Sequence, residues 1–120
     1  MTINIDKTDV CNATLNGIVD HECIDYWAHV MRPRNYVWGD ERPIKIIESD
    51  EEEDNPIKAT ITKELIDKTL KKIILGNHDM QDRLFCQFAL AYKHNDGGQI
   101  DDIAADAIVQ IALFGEIKYA

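Results

Sequence analysis

Asp101-Asp102-Ile103-Ala104-Ala105-Asp106-Ala107-Ile108-Val109-Gln110-Ile111-Ala112-Leu113-Phe114-Gly115-Glu116-Ile117-Lys118-Tyr119-Ala120 is the stretch on which the rest of the chain must pack. It has an acidic start, an apolar stripe at Ala104, Ala107, Ile108, Ile111 and Ala112, and a glycine stop at Gly115. Together these predict one short helix turning sharply into a terminal strand. Asp106 and Gln110 stand four residues apart on that helix, and Glu116 follows its end. They read either as a solvated helix face with an end-of-helix hydrogen bond, or as a polar cluster that orients a ligand or ties the terminal strand down.

Working outward, Asn95-Asp96-Gly97-Gly98 breaks the chain before this helix, and a third helix is expected from about Met80 to Lys93 behind a cap at Asp79. Its inward residues are Leu84, Phe85, Phe88, Ala91 and Tyr92. The second helix runs from a cap at Thr62 to Gly76, with Ile61 and Ile66 spaced as a hydrophobic staple and Ile66, Leu70, Ile73 and Ile74 as its buried stripe. The short Asn77-His78-Asp79 connection predicts that these two helices lie antiparallel. A first helix over residues 6 to 19 has Asp6 or Thr8 as its cap and Cys11, Thr14, Leu15 and Ile18 on one face, weakened near its end by Asn16 and Gly17.

Between the first and second helices the period changes to two. Ile24, Tyr26, Ala28 and Val30 alternate with Cys23, Asp25, Trp27 and His29, predicting a strand over residues 22 to 31 that stops at Arg32-Pro33. A second strand is expected over residues 43 to 49, pairing with the first, while residues 57 to 60 have the character of a short edge strand and 116 to 119 of a third strand. The fold class is α+β: a small antiparallel sheet of two to three strands, covered on one face by about four helices. At 120 residues the chain is read as one domain, residues 1 to 120, large enough to bury about two-thirds of its unfolded surface.

Thirteen basic residues against 22 acidic ones leave a net charge of −9, which disfavours duplex nucleic acid or an anionic membrane as a partner and favours a basic protein surface. The acidity peaks at residues 48 to 54, where six of seven positions are carboxylates broken only by Ser49; such a block reads as a solvated or mobile loop. No apolar run reaches the roughly 20 residues that span a bilayer. Met1 to Asp20 has neither a basic start nor a long apolar segment, so the expected location is the cytoplasm with reduced thiols at Cys11, Cys23 and Cys86.

Signatures of catalysis are missing from the sequence. His21, Cys23, Asp25 and His29 share a face of a regular strand, but His21 and His29 would then stand about 26 Å apart, too far to share a zinc ion. Asp96 to Asp102 has the look of a calcium loop but lacks both the acidic or amide ligands at alternate positions and the glutamate at position twelve, which is Ala107. Ser49, the only serine, has no GxSxG context, no phosphate-loop pattern occurs, and no cysteine sits in a nucleophile signature. Neither a metal nor another cofactor is expected, and no residue is assigned a catalytic role. Tyr26 and Trp27 put a large aromatic on each strand face, leaving one ring over for a groove or partner, where Tyr36 and Trp38 could join it.

Two stretches carry a family resemblance. Ile24-Asp25-Tyr26-Trp27, together with Ala105 to Tyr119, resembles a set of small uncharacterised proteins encoded by bacteriophages and prophages, in which a Gly-Gly-Ile-Asn-Tyr-Trp-like segment follows the first helix and an Asp-x-Ile-x-Gln-x-Ala-x-Phe-Gly-Glu-like segment closes the chain. Where that family has paired glycines, this chain has His21-Glu22-Cys23. The resemblance implies phage origin and a shared fold, and no reaction.

The expectation is therefore a non-enzymatic phage protein, in the host cytoplasm, that binds and inhibits a host defence protein with a basic surface, its own acidic surface acting as a nucleic-acid mimic. Direct nucleic-acid or membrane binding is not expected, and a homodimer is allowed. Candidate contact residues are Tyr26, Trp27, Trp38, Glu51, Glu52, Glu53, Asp54, Asp106, Gln110 and Glu116. One alternative is a sponge for a nucleotide signal, with stacking on Tyr26 and Trp27, polar contacts from Gln110 and a basic patch from Arg32, Arg34 and Arg42. Another is a structural or accessory phage protein.

Overall fold

The computed structural model describes residues 8–49, 54–76 and 82–119. Four helices, α1 (Thr8–Val19), α2 (Lys63–Gly76), α3 (Asp82–His94) and α4 (Asp102–Phe114), accompany a three-stranded sheet of β1 (Ala28–Met31), β2 (Ile44–Glu48) and β3 (Lys58–Ile61). The strands are antiparallel in the order β1-β2-β3, with Val30 opposite Ile46 and Ile46 opposite Ala59. This is the α+β architecture expected from the sequence.

Strand parity decides which side of the sheet is buried. Ala28, Val30, Ile44, Ile46 and Ile61 face inward and belong to one core cluster with Leu15 and Ile18 of α1, Ile66, Leu70 and Ile73 of α2, Phe88 of α3 and Ile108 of α4. The same parity carries Glu48 inward, where it is 4% exposed. The acidic run thus begins with a buried carboxylate, which a reading by charge density alone places in solvent. Glu51, Glu52 and Glu53, and the capping atoms assigned to Asp6, Thr8 and Asp79, lie outside the described residues.

The helices follow their sequence signals closely. Thr62 accepts the Leu65 amide at its hydroxyl (3.2 Å), so it caps α2. Asp101 accepts the Ala104 amide (2.8 Å) at the start of α4, and Gly115, with φ of 74°, ends it in the left-handed region. Gly17, expected only to weaken the end of α1, has a packing role there: a Cβ would stand 3.0 Å from Ala105 Cβ. It is the point at which α1 meets α4, so its smallness is used for helix approach. Gly97 is similarly constrained, since a Cβ would meet the Asp9 backbone oxygen at 2.8 Å.

Two expected strands are corrected. Residues 22 to 27 are successive turns, with Asp25 N–H bonded to Glu22 O (3.1 Å) and Trp27 N–H to Ile24 O (3.0 Å). Ile24 and Trp27 turn inward three residues apart while Asp25 and Tyr26 stay exposed, so the apparent alternation was a turn read at the wrong period. Residues 116 to 119 make no strand of the sheet; β3, over the segment with edge-strand character, is the third strand. The terminal segment is held instead by side chains of α4 and β2.

Candidate functional site

The turn after α1 and the buried side of α4 meet at a single carboxylate. Asp106 Oδ1 accepts the Trp27 indole N–H (2.8 Å) and the Gln110 amide (2.9 Å), while Oδ2 accepts the Tyr26 hydroxyl. The tight turn makes this geometry available, because it points two consecutive aromatic side chains at the same neighbour; a strand would send them to opposite faces. Gln110, 1% exposed, is no solvated helix position. Its Oε1 accepts the backbone N–H groups of Lys118 (2.8 Å) and Tyr119 (2.7 Å), and its Nε2 donates to Tyr119 O (3.0 Å). One side-chain amide therefore does for the terminal segment what a neighbouring strand would have done.

Tyr119 is fixed at three further points. Its ring stacks on Trp27 (centroids 5.4 Å apart, planes 8° apart) and meets Phe114 edge-on at 6.0 Å, and its hydroxyl donates to buried Glu48. Lys118 Nζ reaches the same Glu48 carboxylate at 2.7 Å and lies 5.0 Å from the centre of the Phe114 ring. Burial by itself would raise the Glu48 carboxyl, but the hydrogen bonds from Lys118, Tyr119 and the Ile57 amide outweigh it and hold the group below its ordinary value of 4.5. Because the folded value is the lower one, the stability Glu48 contributes is complete above pH 4.5 and is lost as pH falls below it, through the folded value. Acidification is thus expected to loosen the terminal segment, seen as lower amide protection factors at Lys118 and Tyr119, each taken against the intrinsic exchange rate at that pH. Glu48→Gln should flatten that dependence, and equal pH slopes in the two proteins would contradict the assignment.

Beside this clasp an open groove of about 530 Å³ runs between α4, α3 and the turn. Its walls are Leu84, Ile103, Ala107 and Ile117, and its polar lining comes from Cys23, Tyr26, Asp102, Asp106 and Gln110. Ile103 is 74% and Tyr26 56% exposed, so the rim presents apolar surface to solvent. His21 Nδ1 pairs with Asp102 at 2.8 Å, next to the groove.

The reactive groups here are held protonated. Burial, then the charges of Asp106 and Asp102, push the Cys23 thiol up to about 12. The Tyr26 ring is largely exposed but its hydroxyl turns inward; burial of that end, then the bond to Asp106, holds it well above the ordinary tyrosine value. A thiol and phenol in this state are poor as nucleophile or base at neutral pH. Among the described residues, no group of three or more His, Cys, Asp or Glu side chains is placed to hold a metal ion.

No protein-family model, curated protein or solved structure matches this chain. Of the residues singled out in the sequence, Tyr26, Trp27, Asp106 and Gln110 come together in one hydrogen-bonded unit. Trp38 does not join them: it is 54% exposed on the segment between β1 and β2, and the ring partners of Trp27 are Phe114 and Tyr119. Glu116 and Asp54 are exposed and do not line the groove. The proposed arginine patch is largely neutralised, because Arg32 pairs with Asp25 (2.6 Å) and Arg42 with Asp40 (2.6 Å).

Sequence reading did not single out Cys23, Leu84, Asp102, Ile103 or Ala107 as lining residues, and it expected Ile117 and Tyr119 beside Tyr26 and Trp27 only as part of a terminal strand. Ile103 carried a usable signal, since it falls off the apolar stripe of α4 and an isoleucine there must face solvent or a partner. Glu48 carried another, sharing the parity of Ile44 and Ile46. Among the described residues no helix is long and apolar enough to cross a membrane.

Proposed function

We propose that this chain is a non-enzymatic, phage-encoded protein that binds and inhibits a host defence protein presenting a basic surface. The observation that supports this reading is the solvent-open apolar groove with carboxylates in its lining, on a chain of net charge −9. Apolar rim residues supply burial on contact, and carboxylates supply steering and select against acidic partners. The thiol of Cys23 and the phenol of Tyr26, both held protonated and the phenol bonded to Asp106, favour binding over catalysis. Phage origin rests on the resemblance of Ile24 to Trp27 and Ala105 to Tyr119, and the defence target on the small size and acidity of the chain.

The nucleotide-sponge alternative fares worse on the same observations. A phosphate brought to the groove would meet Asp102 and Asp106, and Arg32 and Arg42 are already paired with carboxylates. An acidic inhibitor should capture a basic host protein in a strongly salt-dependent way and reduce that protein's activity when added in excess. The test is affinity capture from host lysate at two ionic strengths, followed by assay of the captured protein. Charge reversal of Glu51 to Asp54 reports whether the acidic run takes part. Salt-independent capture, or a captured protein whose activity is untouched, would sink the reading.

A further inference from the structure

We infer that the groove receives an arginine side chain of the partner protein, with an apolar residue of the same segment seated against Ile103 and Ile117. This rests on the binding reading above and states the chemistry of the contact. Hydrogen-bond valence decides what the groove can take. Strong side-chain donors lining the groove are already committed: the Tyr26 hydroxyl donates to Asp106, and the two N–H groups of the Gln110 amide go to Asp106 and to Tyr119 O.

What remains is acceptor capacity. A carboxylate offers about four lone-pair sites, and Asp106 uses three of them: two at Oδ1 and one at Oδ2. Asp102 Oδ1 is engaged by His21, its side chain is 55% exposed, and Oδ2 makes no described contact. The first turn of α4 does not reverse this balance, because Asp101 caps it and Asp102 lies within it. A groove with acceptors, negative charge and apolar walls matches a ligand that brings donors, positive charge and an aliphatic stem. Arginine fits best, since its planar fork can span neighbouring acceptors and lie over the exposed Tyr26 ring.

The test is a titration of the isotope-labelled full chain with blocked pentapeptides, followed by amide chemical shifts. The probes are acetyl-Gly-Leu-Gly-Arg-Gly-amide, its counterparts with Gln or Glu in place of Arg, and spermidine as a free cation. The arginine peptide is expected to move the amides of Cys23, Tyr26, Ile103 and Ile117, and to bind about fivefold more tightly than the glutamine peptide. The glutamate peptide should bind more weakly still. Asp102→Asn should remove about threefold of the arginine preference, and Ile103→Ser should weaken all the peptides alike; both positions are exposed, so the amide fingerprint elsewhere should be unchanged.

Equal binding of the arginine and glutamate peptides, shifts confined to another surface, or spermidine binding as tightly as the arginine peptide would each overturn the inference. Failure of this inference and failure of the parent reading separate cleanly. Capture of an inhibited basic host protein, undiminished by Asp102→Asn with Ile103→Ser, would leave the inhibitor reading standing and remove the groove from it. Arginine-peptide binding in the groove with no inhibited host protein would do the reverse.

Discussion

Replacing Trp27 with alanine is expected to lower the unfolding free energy by about 3–5 kcal/mol and to release the terminal segment in the protein that still folds. The indole is 2% exposed, stacks on Tyr119, tilts against Phe114 at 5.6 Å and donates to Asp106 at 2.8 Å. Alanine leaves a cavity between the turn, α4 and the terminal segment, and it also removes one of the donors that orient Asp106. Trp27→Phe separates the two contributions, keeping most of the ring volume while losing the N–H; its expected cost is about 1–2 kcal/mol. Denaturant unfolding followed by far-ultraviolet circular dichroism gives both numbers. A loss below about 1 kcal/mol for the alanine variant would mean that this aromatic cluster is surface decoration, contrary to its burial.

Gln110 should prove nearly as sensitive, and its substitutions discriminate among mechanisms. Gln110→Ala removes two acceptor contacts and two donor contacts at once, and the expected loss is about 2–4 kcal/mol, limited by the terminal segment detaching and finding water. Gln110→Glu is the sharper experiment. Glutamate keeps the shape and can still accept from the Lys118 and Tyr119 amides, but it has no N–H for Asp106 or Tyr119 O and sets a second negative charge 2.9 Å from Asp106 Oδ1. Its expected cost therefore matches that of alanine at neutral pH, even though it is the nearest isostere. Amide exchange at Lys118 and Tyr119 should accelerate in both variants. A stable Gln110→Glu protein with protected terminal amides would show that the acceptor half of the bracket is sufficient.

Both substitutions concern the contact between chain end and turn, which is where sequence reading had least purchase. The ends of α2 and α4 were legible because these helices carry their own signals: Thr62 before α2, Asp101 before α4 and Gly115 after it act through bonds between residues three or four positions apart. The strands of β1 and β2 were legible for the same local reason, although the first was read too long. Its error is instructive, since Ile24 and Trp27 obey a spacing of three that five residues of apparent alternation concealed. The terminal segment has strand-like composition yet joins no sheet, because pairing needs an available edge and the nearest offered partner is a glutamine side chain.

Of the candidate site, the polar pair Asp106 and Gln110 and the aromatic pair Tyr26 and Trp27 were visible as residues out of keeping with their surroundings. That they form one unit was not, for they are separated by about 80 positions and no periodicity links them. The groove is less legible still, since Leu84, Ile103 and Ile117 come from three segments: Leu84 reads as an ordinary inward helix residue, and Ile103 and Ile117 each alone as an ordinary exposed aliphatic. The caps at Thr62 and Asp101, the stop at Gly115, the parity of β2 and the acidic balance were readable directly in the sequence, because they follow from near-neighbour bonds, strand period and summed charge. The burial of Glu48, the replacement of a strand by Gln110 and the spent donors of the groove came from tertiary contacts, because burial and hydrogen-bond valence are set by whichever distant residues arrive at the same place.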